Sequence, residues 1–155
     1  MPVTMYWVIY RSSGPPLGGD GLTVISRKSL CCGKPYFMLV LAHKQLEVYR
    51  QARELLQLVY LITAKFPKEE KYLLVNQLRR AAVSVCSNIA EGSSRFSGPE
   101  KKRFYEISRS SLVEIDTQAD ISVSLGYMNQ EDLLQIEGLM EAVFKMLSKM
   151  IRNLS

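Results

Sequence analysis

The run QLRRAAVSVCSNIAEG, from Gln77 to Gly92, carries the clearest structural pattern in this chain. Its large apolar residues Leu78, Val85 and Ile89 recur at the spacing of one face of an α-helix. Small side chains let a neighbouring helix approach closely. Here they are Ala81, Ala82, Ser84, Ser87 and Ala90. The run therefore predicts a helix that packs tightly against other helices.

Upstream of this run, the same period predicts a first helix from about His43 to Lys65. The pair Phe66-Pro67 ends it, because a residue before proline disfavours helical backbone angles. The helix that contains the run from Gln77 is expected to open at Lys68 and to end where Gly92 breaks the pattern.

Downstream, Ser97 and Glu100 have the spacing of a capping box, which predicts the start of a third helix. Gly126 provides a left-handed cap at its end, and Asn129 caps a fourth helix. The third helix is expected to direct inward Phe104, Ile107, Ser111, Leu112, Ile115, Ala119, Ser122 and Leu125. The fourth is expected to direct inward Leu133, Ile136, Met140, Val143, Leu147, Met150 and Leu154.

Four helices joined by short turns predict an all-α fold, an antiparallel up-and-down four-helix bundle over residues 41–155. Residues 1–40 differ in composition, since they hold five of the nine glycines and four of the six prolines. Such a density of helix breakers predicts a poorly ordered N-terminal extension that the bundle does not need.

The first helix is apolar over more of its circumference than one core requires. Its main stripe is expected to consist of Leu46, Tyr49, Leu56, Val59, Ile62 and Phe66. Further apolar residues lie off that stripe, namely Val48, Leu55, Leu58, Tyr60 and Leu61. This surplus predicts self-association, with the alternative that the N-terminal extension covers the surface.

The composition argues against several classes of function. His43 is the only histidine, and the three cysteines form no C-x-x-C pair, so we expect no metal site, no cofactor and no catalytic centre. No apolar run has the length of a membrane-spanning helix. The third cysteine, Cys86, is expected to be a small buried thiol within a helix.

Charge is distributed unevenly along the chain, whose formal net charge is +5. The stretch from Arg79 to Arg109, around the turn between the second and third helices, is basic overall and contains Arg79, Arg80, Arg95, Lys101, Lys102, Arg103 and Arg109. The chain beyond Ser110 is acidic overall. Phe96, Phe104 and Tyr105 interleave with these cations, a combination that can stack on and neutralise a flexible RNA or DNA strand. The alternative is a core Phe104 beside a solvated basic surface.

The sequence NIAEG and the arginine that follows it form the most unusual local feature. On a helix Asn88, Glu91 and Arg95 share one face, and Glu91 precedes Arg95 by the four residues that favour an ion pair. Together with Gly92 they predict a structural clasp that secures the end of the second helix. The alternative is a polar site for a ligand or for catalysis.

The run from Gln77 to Gly92, with LEVYR at 46–50 and Phe66-Pro67 before it and Arg95 and Gly126-Tyr127 after it, resembles the family of 23S rRNA-intervening sequence proteins. The resemblance covers residues 43–154. It implies a four-helix bundle that assembles into a homopentamer in the bacterial cytoplasm. It also implies a relation to the accessory variability determinants of diversity-generating retroelements, which bind nucleic acid and a reverse transcriptase.

Two classes of non-enzymatic function follow from these observations. The first is an oligomer that contacts RNA or other single-stranded nucleic acid through its basic region. The second is a homo-oligomeric scaffold or accessory protein, for example to a reverse transcriptase, that does not bind nucleic acid itself.

Overall fold

The structure, a computed structural model, describes residues 41–154. Within them lie four α-helices, α1 at Glu47–Thr63, α2 at Leu74–Ser94, α3 at Gly98–Ser124 and α4 at Gln130–Arg152. Short 3-10 turns occupy Ala42–Gln45 and Lys68–Tyr72. Residues 41–154 contain no strand. The predicted all-α fold class is confirmed. The predicted extension, residues 1–40, lies outside the described residues.

Each helix packs against two others. Helix α1 contacts α2 and α4, and α3 likewise contacts α2 and α4. This cyclic order is that of an up-and-down four-helix bundle. The fully buried core draws on all four helices, with Leu55, Val59, Ile62, Leu78, Val85, Ile89, Ile115, Ile136, Val143 and Leu147. The described helices include no segment with the length and hydropathy of a transmembrane span.

Hydrogen bonds show that α2 and α3 run in opposite directions. The Ser84 and Ser111 hydroxyls lie 2.8 Å apart, and the Ser108 hydroxyl donates to the Val85 carbonyl at 3.1 Å. Residue numbers therefore rise along α2 as they fall along α3. A side-chain bond from one helix to the backbone of the next requires a close approach, and the small residues of α2 permit it.

The ends of α3 and α4 follow the predicted capping only in part. Asn129 Oδ1 accepts the Asp132 backbone N–H at 2.7 Å, and Gly126 has a φ of 74°, so both of these predictions are confirmed. Ser97 occupies the N-cap of α3, but its side chain makes no capping hydrogen bond. Its backbone carbonyl instead accepts the Lys101 N–H at 3.0 Å.

Two predicted helix starts were too early, because 3-10 turns precede α1 and α2. Helix α1 begins at Glu47, and α2 begins at Leu74. Helix α2 also continues through Gly92 and ends at Ser94, so Gly92 is a helical residue and not the break that the sequence suggested. Because α2 begins after it, Tyr72 lies in the second 3-10 turn and is 78% exposed.

The buried face of α1 differs from the predicted stripe. It consists of Val48, Ala52, Leu55, Val59, Ile62 and Thr63. Val48 and Leu55 are therefore core residues, because α1 faces α2 and α4 at once and needs a wide apolar sector. The surplus that remains exposed is smaller than predicted and includes Tyr60 and Leu61, with Leu61 65% exposed.

The buried face of α3 is rotated from the predicted one at the start of the helix. Tyr105 and Ser108 are buried, whereas Ile107 is exposed. At the other end, Leu125 is exposed as well. Apolar periodicity could not identify Ser108 as a buried residue, because serine is polar. Its hydroxyl donates to the Val85 carbonyl of α2, and this hydrogen bond allows a polar side chain in a fully buried position.

Candidate nucleic-acid interface

The structure divides the seven predicted contact residues among three places. Four surround the α2–α3 connection, with Arg95 at the end of α2 and Lys101, Lys102 and Arg103 in the first turns of α3. Arg79 and Arg80 lie near the start of α2, and Arg109 lies farther along α3.

Arg79 and Arg80 are not part of the α2–α3 connection, contrary to the predicted gathering around one turn. At 1.5 Å per residue, Arg79 lies about 24 Å along the helix axis from Arg95. Its Nε donates to Thr63 Oγ1 at 2.9 Å, and its guanidinium lies 4.7 Å from the ring centroid of Tyr60. Arg79 thus joins α2 to α1.

At the connection itself, Arg95 is held from two sides. Its guanidinium bonds to a Glu91 carboxylate oxygen at 2.6 Å and lies 4.7 Å from the ring centroid of Phe104. Next to it, Phe96 is fully exposed. The connection therefore presents an exposed aromatic ring beside an oriented guanidinium.

Tyr105, which the sequence predicted to stack on nucleic acid, is buried. Tyr105 is only 4% exposed, because it packs inward against α2. Burial raises the pKa of its phenol. Phe104 is half-buried under Arg95, so Phe96 is the exposed aromatic residue of this connection.

The predicted clasp consists of two separate contacts. Glu91 and Arg95 form the ion pair already described. Asn88 instead donates to the Ser84 carbonyl at 2.8 Å and lies 3.1 Å from the Ser84 hydroxyl, which itself lies 2.8 Å from Ser111. Asn88 thus belongs to a polar contact between α2 and α3, away from the ion pair.

Gly92 is required by the close approach of α3. A Cβ at this position would lie 2.6 and 2.9 Å from two ring carbons of Tyr105 and 3.2 Å from Cβ of Phe104. Separations under 3 Å overlap the van der Waals surfaces of carbon atoms, so a larger residue would force α3 away. The glycine of NIAEG is explained by packing.

Sequence reasoning missed two basic residues that the fold places beside Arg109. An open groove between α3 and α4 is lined by Arg109, Phe144, Lys145, Ser148, Ile151 and Arg152. Lys145 and Arg152 belong to the part of the chain that is acidic overall. The available signal was the antiparallel pairing of α3 with α4, which brings the end of α4 to the start of α3.

This pairing also relates Arg152 to the α2–α3 connection. Arg109 lies over Phe144, at 5.7 Å from guanidinium to ring centroid. Arg152 is eight residues beyond Phe144, and Lys101 is eight residues before Arg109. Because both helices rise by the same amount per residue, Arg152 and Lys101 lie at about the same level along the bundle axis.

Cys86 is not activated for chemistry. It is buried, as predicted, and burial raises the pKa of its thiol to about 11, although the nearby charge of Arg53 opposes this shift. A thiol with so high a pKa is protonated at neutral pH and is a poor nucleophile.

The fold defines the class of protein as an all-α four-helix domain. The family model described as 23S rRNA-intervening sequence protein matches residues 44–149. The chain therefore belongs to this family, and the resemblance found in the sequence is confirmed. A search of the curated proteins found no match.

Proposed function

We propose that this protein is a non-enzymatic homo-oligomer that contacts RNA or other single-stranded nucleic acid through the α2–α3 connection. The observation that carries the proposal is the fully exposed ring of Phe96, with Arg95 beside it and with Lys101, Lys102 and Arg103 on the helix that follows. Phosphates of a strand can pair with the cations while an unstacked base packs on the ring.

Oligomerisation strengthens such a contact without adding any new residue. Each copy contributes one basic connection, and a strand that spans several copies binds the second site with a high effective concentration. The homopentamer implied by the family resemblance, the bacterial origin and the cytoplasmic location form part of this proposal.

An RNA titration at two salt concentrations tests the proposal. If about five phosphates are neutralised, log affinity for a single strand falls with log salt at a slope of about −3.5. The variant Lys101→Ala/Lys102→Ala/Arg103→Ala removes three cations and is expected to make that slope shallower by about 2.

A matched control removes three cations from elsewhere on the chain. Arg53→Ala/Lys68→Ala/Lys71→Ala changes exposed residues of α1 and of the second 3-10 turn. This variant should bind RNA as the native chain does. Equal loss in both variants would mean that net charge alone attracts RNA, and undetectable native binding would contradict the proposal.

The second candidate function is a homo-oligomeric scaffold or accessory protein, with a reverse transcriptase as one partner to test. It is favoured by large apolar residues that are exposed at the end of α1 and in the segment before α2, namely Tyr60, Leu61, Tyr72 and Leu73. Large apolar side chains that remain exposed to water are candidates for contact with another protein chain.

Light scattering tests this assembly surface. The native chain should have a mass of several copies, and Leu61→Ser/Leu73→Ser should lower it. Leu134→Ser on α4 removes an equally exposed leucine elsewhere and serves as the control. A native mass of 17.6 kDa at micromolar concentration would contradict self-association.

A further inference from the structure

Three cationic side chains from two helices line one groove. Arg109 of α3 and Lys145 and Arg152 of α4 border an open volume of about 370 Å³. No carboxylate from the described residues lines it. The neighbouring groove between the same two helices, about 580 Å³, is instead lined by Asp116, Glu137 and Glu141. The α3–α4 contact thus changes from an acidic to a basic surface along its length.

Within residues 41–154, neither arginine has a neutralising partner. Among residues 41–154, no carboxylate lies within ion-pair distance of Arg109 or Arg152. Lys145 pairs with Glu141 at 2.6 Å, but both side chains are largely exposed, and such pairs are weak. Like charges in one groove repel each other, and a bound anion removes that repulsion.

A polar group and a ring complete the groove. Ser148 Oγ is buried and has no hydrogen-bond partner among the described residues. A hydroxyl in this condition gains a bond when an acceptor arrives. The ring of Phe144, 40% exposed, lies beside the cations and provides an apolar surface that a base or sugar can contact.

We propose that this groove binds a phosphate group of a nucleic-acid strand. Arg109 and Arg152 donate charge-assisted hydrogen bonds to its oxygens, Lys145 adds a third positive charge, and a small rotation of Ser148 supplies a hydroxyl donor. The source of the phosphate rests on the proposed function, whereas recognition of the phosphate group does not. A free phosphate compound has the same chemistry and is distinguished by experiment.

Calorimetric titration of the full chain tests the groove with two probes, pyrophosphate and a short oligouridylate. The variant Arg109→Gln/Arg152→Gln is expected to bind the oligouridylate at least about tenfold more weakly. Its salt slope should be shallower by about 1.4, because two phosphate contacts are lost. The control Lys68→Gln/Lys71→Gln removes the same charge from the second 3-10 turn and should keep native affinity and slope.

The outcomes separate the groove from the proposed function. If the oligouridylate binds the native chain, Arg109→Gln/Arg152→Gln and the control equally, the groove proposal is overturned and the proposed function stands. If pyrophosphate binding depends on the two arginines while the oligouridylate does not bind, the groove stands and the proposed function fails. If neither probe binds the native chain, both are overturned.

A second variant protects the test against a loss of folding. Arg109 packs on Phe144, so its replacement could lower stability. Lys145→Gln/Arg152→Gln changes only exposed side chains of α4 and should repeat the loss of affinity with an unchanged melting temperature. Native affinity in this variant, together with native affinity in the first, would assign the anion to another place.

Discussion

Helix α3 makes two different contacts, one with α2 and one with α4. Against α2 it buries Tyr105 on Gly92 and donates a hydrogen bond from Ser108 to a backbone carbonyl. Against α4 it leaves two open grooves, and Phe144 in these grooves is 40% exposed. Small residues let the first contact close, whereas the second leaves open volume between the helices.

The difference separates stability from binding. A contact that is closely packed provides dispersion and hydrophobic free energy but leaves no space for a ligand. A contact with grooves gives up part of that free energy and keeps volume and charge available. We therefore expect matched substitutions on the two sides of α3 to have unequal effects on stability.

The largest expected effect compares two aromatic residues. Tyr105→Ala should lower the free energy of unfolding by about 3–5 kcal/mol, because it leaves a cavity against α2. Phe144→Ala should lower it by about 1 kcal/mol, since that ring is already partly in water. Urea unfolding of both variants measures the difference, and similar losses would contradict the contrast between the two contacts.

The next comparison uses two helical glycines. Gly92→Val should cost about 3 kcal/mol, because its Cβ would overlap the ring of Tyr105. A Cβ at Gly138 on α4 would lie in open space, so Gly138→Val should be neutral or slightly stabilising, since glycine is a poor helix former. Thermal unfolding compares them. If Gly92→Val were as stable as the native chain, the close approach of α3 would be wrong.

A third effect appears at high pH and concerns a buried ionisable group. Burial raises the pKa of the Cys86 thiol from 9.0 to about 11, whereas on the exposed surface a hydrogen bond from Lys145 lowers the pKa of Glu141. Above about pH 9 the Cys86 thiol of the unfolded chain ionises, while the thiol of the folded chain remains protonated. Stability should therefore fall as pH rises from about 9 to 11, by about 2–3 kcal/mol.

Unfolding titrations at several pH values within that range, on the native chain and on Cys86→Ala, measure this effect. Burial also raises the pKa of Tyr105, but that residue is present in both proteins, so their difference isolates Cys86. Parallel pH profiles would show that Cys86 ionises as freely in the folded chain as in the unfolded one.

The smallest effect compares two serines. Ser108→Ala should cost about 1 kcal/mol, because it removes the hydrogen bond to Val85. Ser148→Ala should be neutral or stabilising, since the native hydroxyl is buried without a partner among the described residues. A loss of stability in Ser148→Ala equal to that in Ser108→Ala would show that the hydroxyl is satisfied in solution.

Much of the fold could be read from local pattern. The 3.6-residue period located all four helices, and Asn129 and Gly126 marked ends that depend only on neighbouring backbone. Cys86 was recognised as buried because it lies within an apolar helical run. These features involve residues within one or two helical turns, so they are present in the sequence itself.

Helix faces and the candidate site were predicted less well. The sequence placed Val48 and Leu55 outside the core and Ile107 inside it, and both assignments were wrong. An apolar stripe shows which residues avoid water, but its exact orientation depends on the two helices that flank it. Local charge also placed Arg79 at the basic turn, although its partners are Thr63 and Tyr60 of α1.

Sequence alone was sufficient for the helices, their order and the family, because a long amphipathic period and the NIAEG run are local and specific. Only the tertiary structure showed that Gly92 admits Tyr105, and that Lys145 and Arg152 join Arg109 in one groove. The physical reason is that antiparallel helices bring together residues far apart in the chain. Their distances follow from helix register and packing, which no local pattern contains.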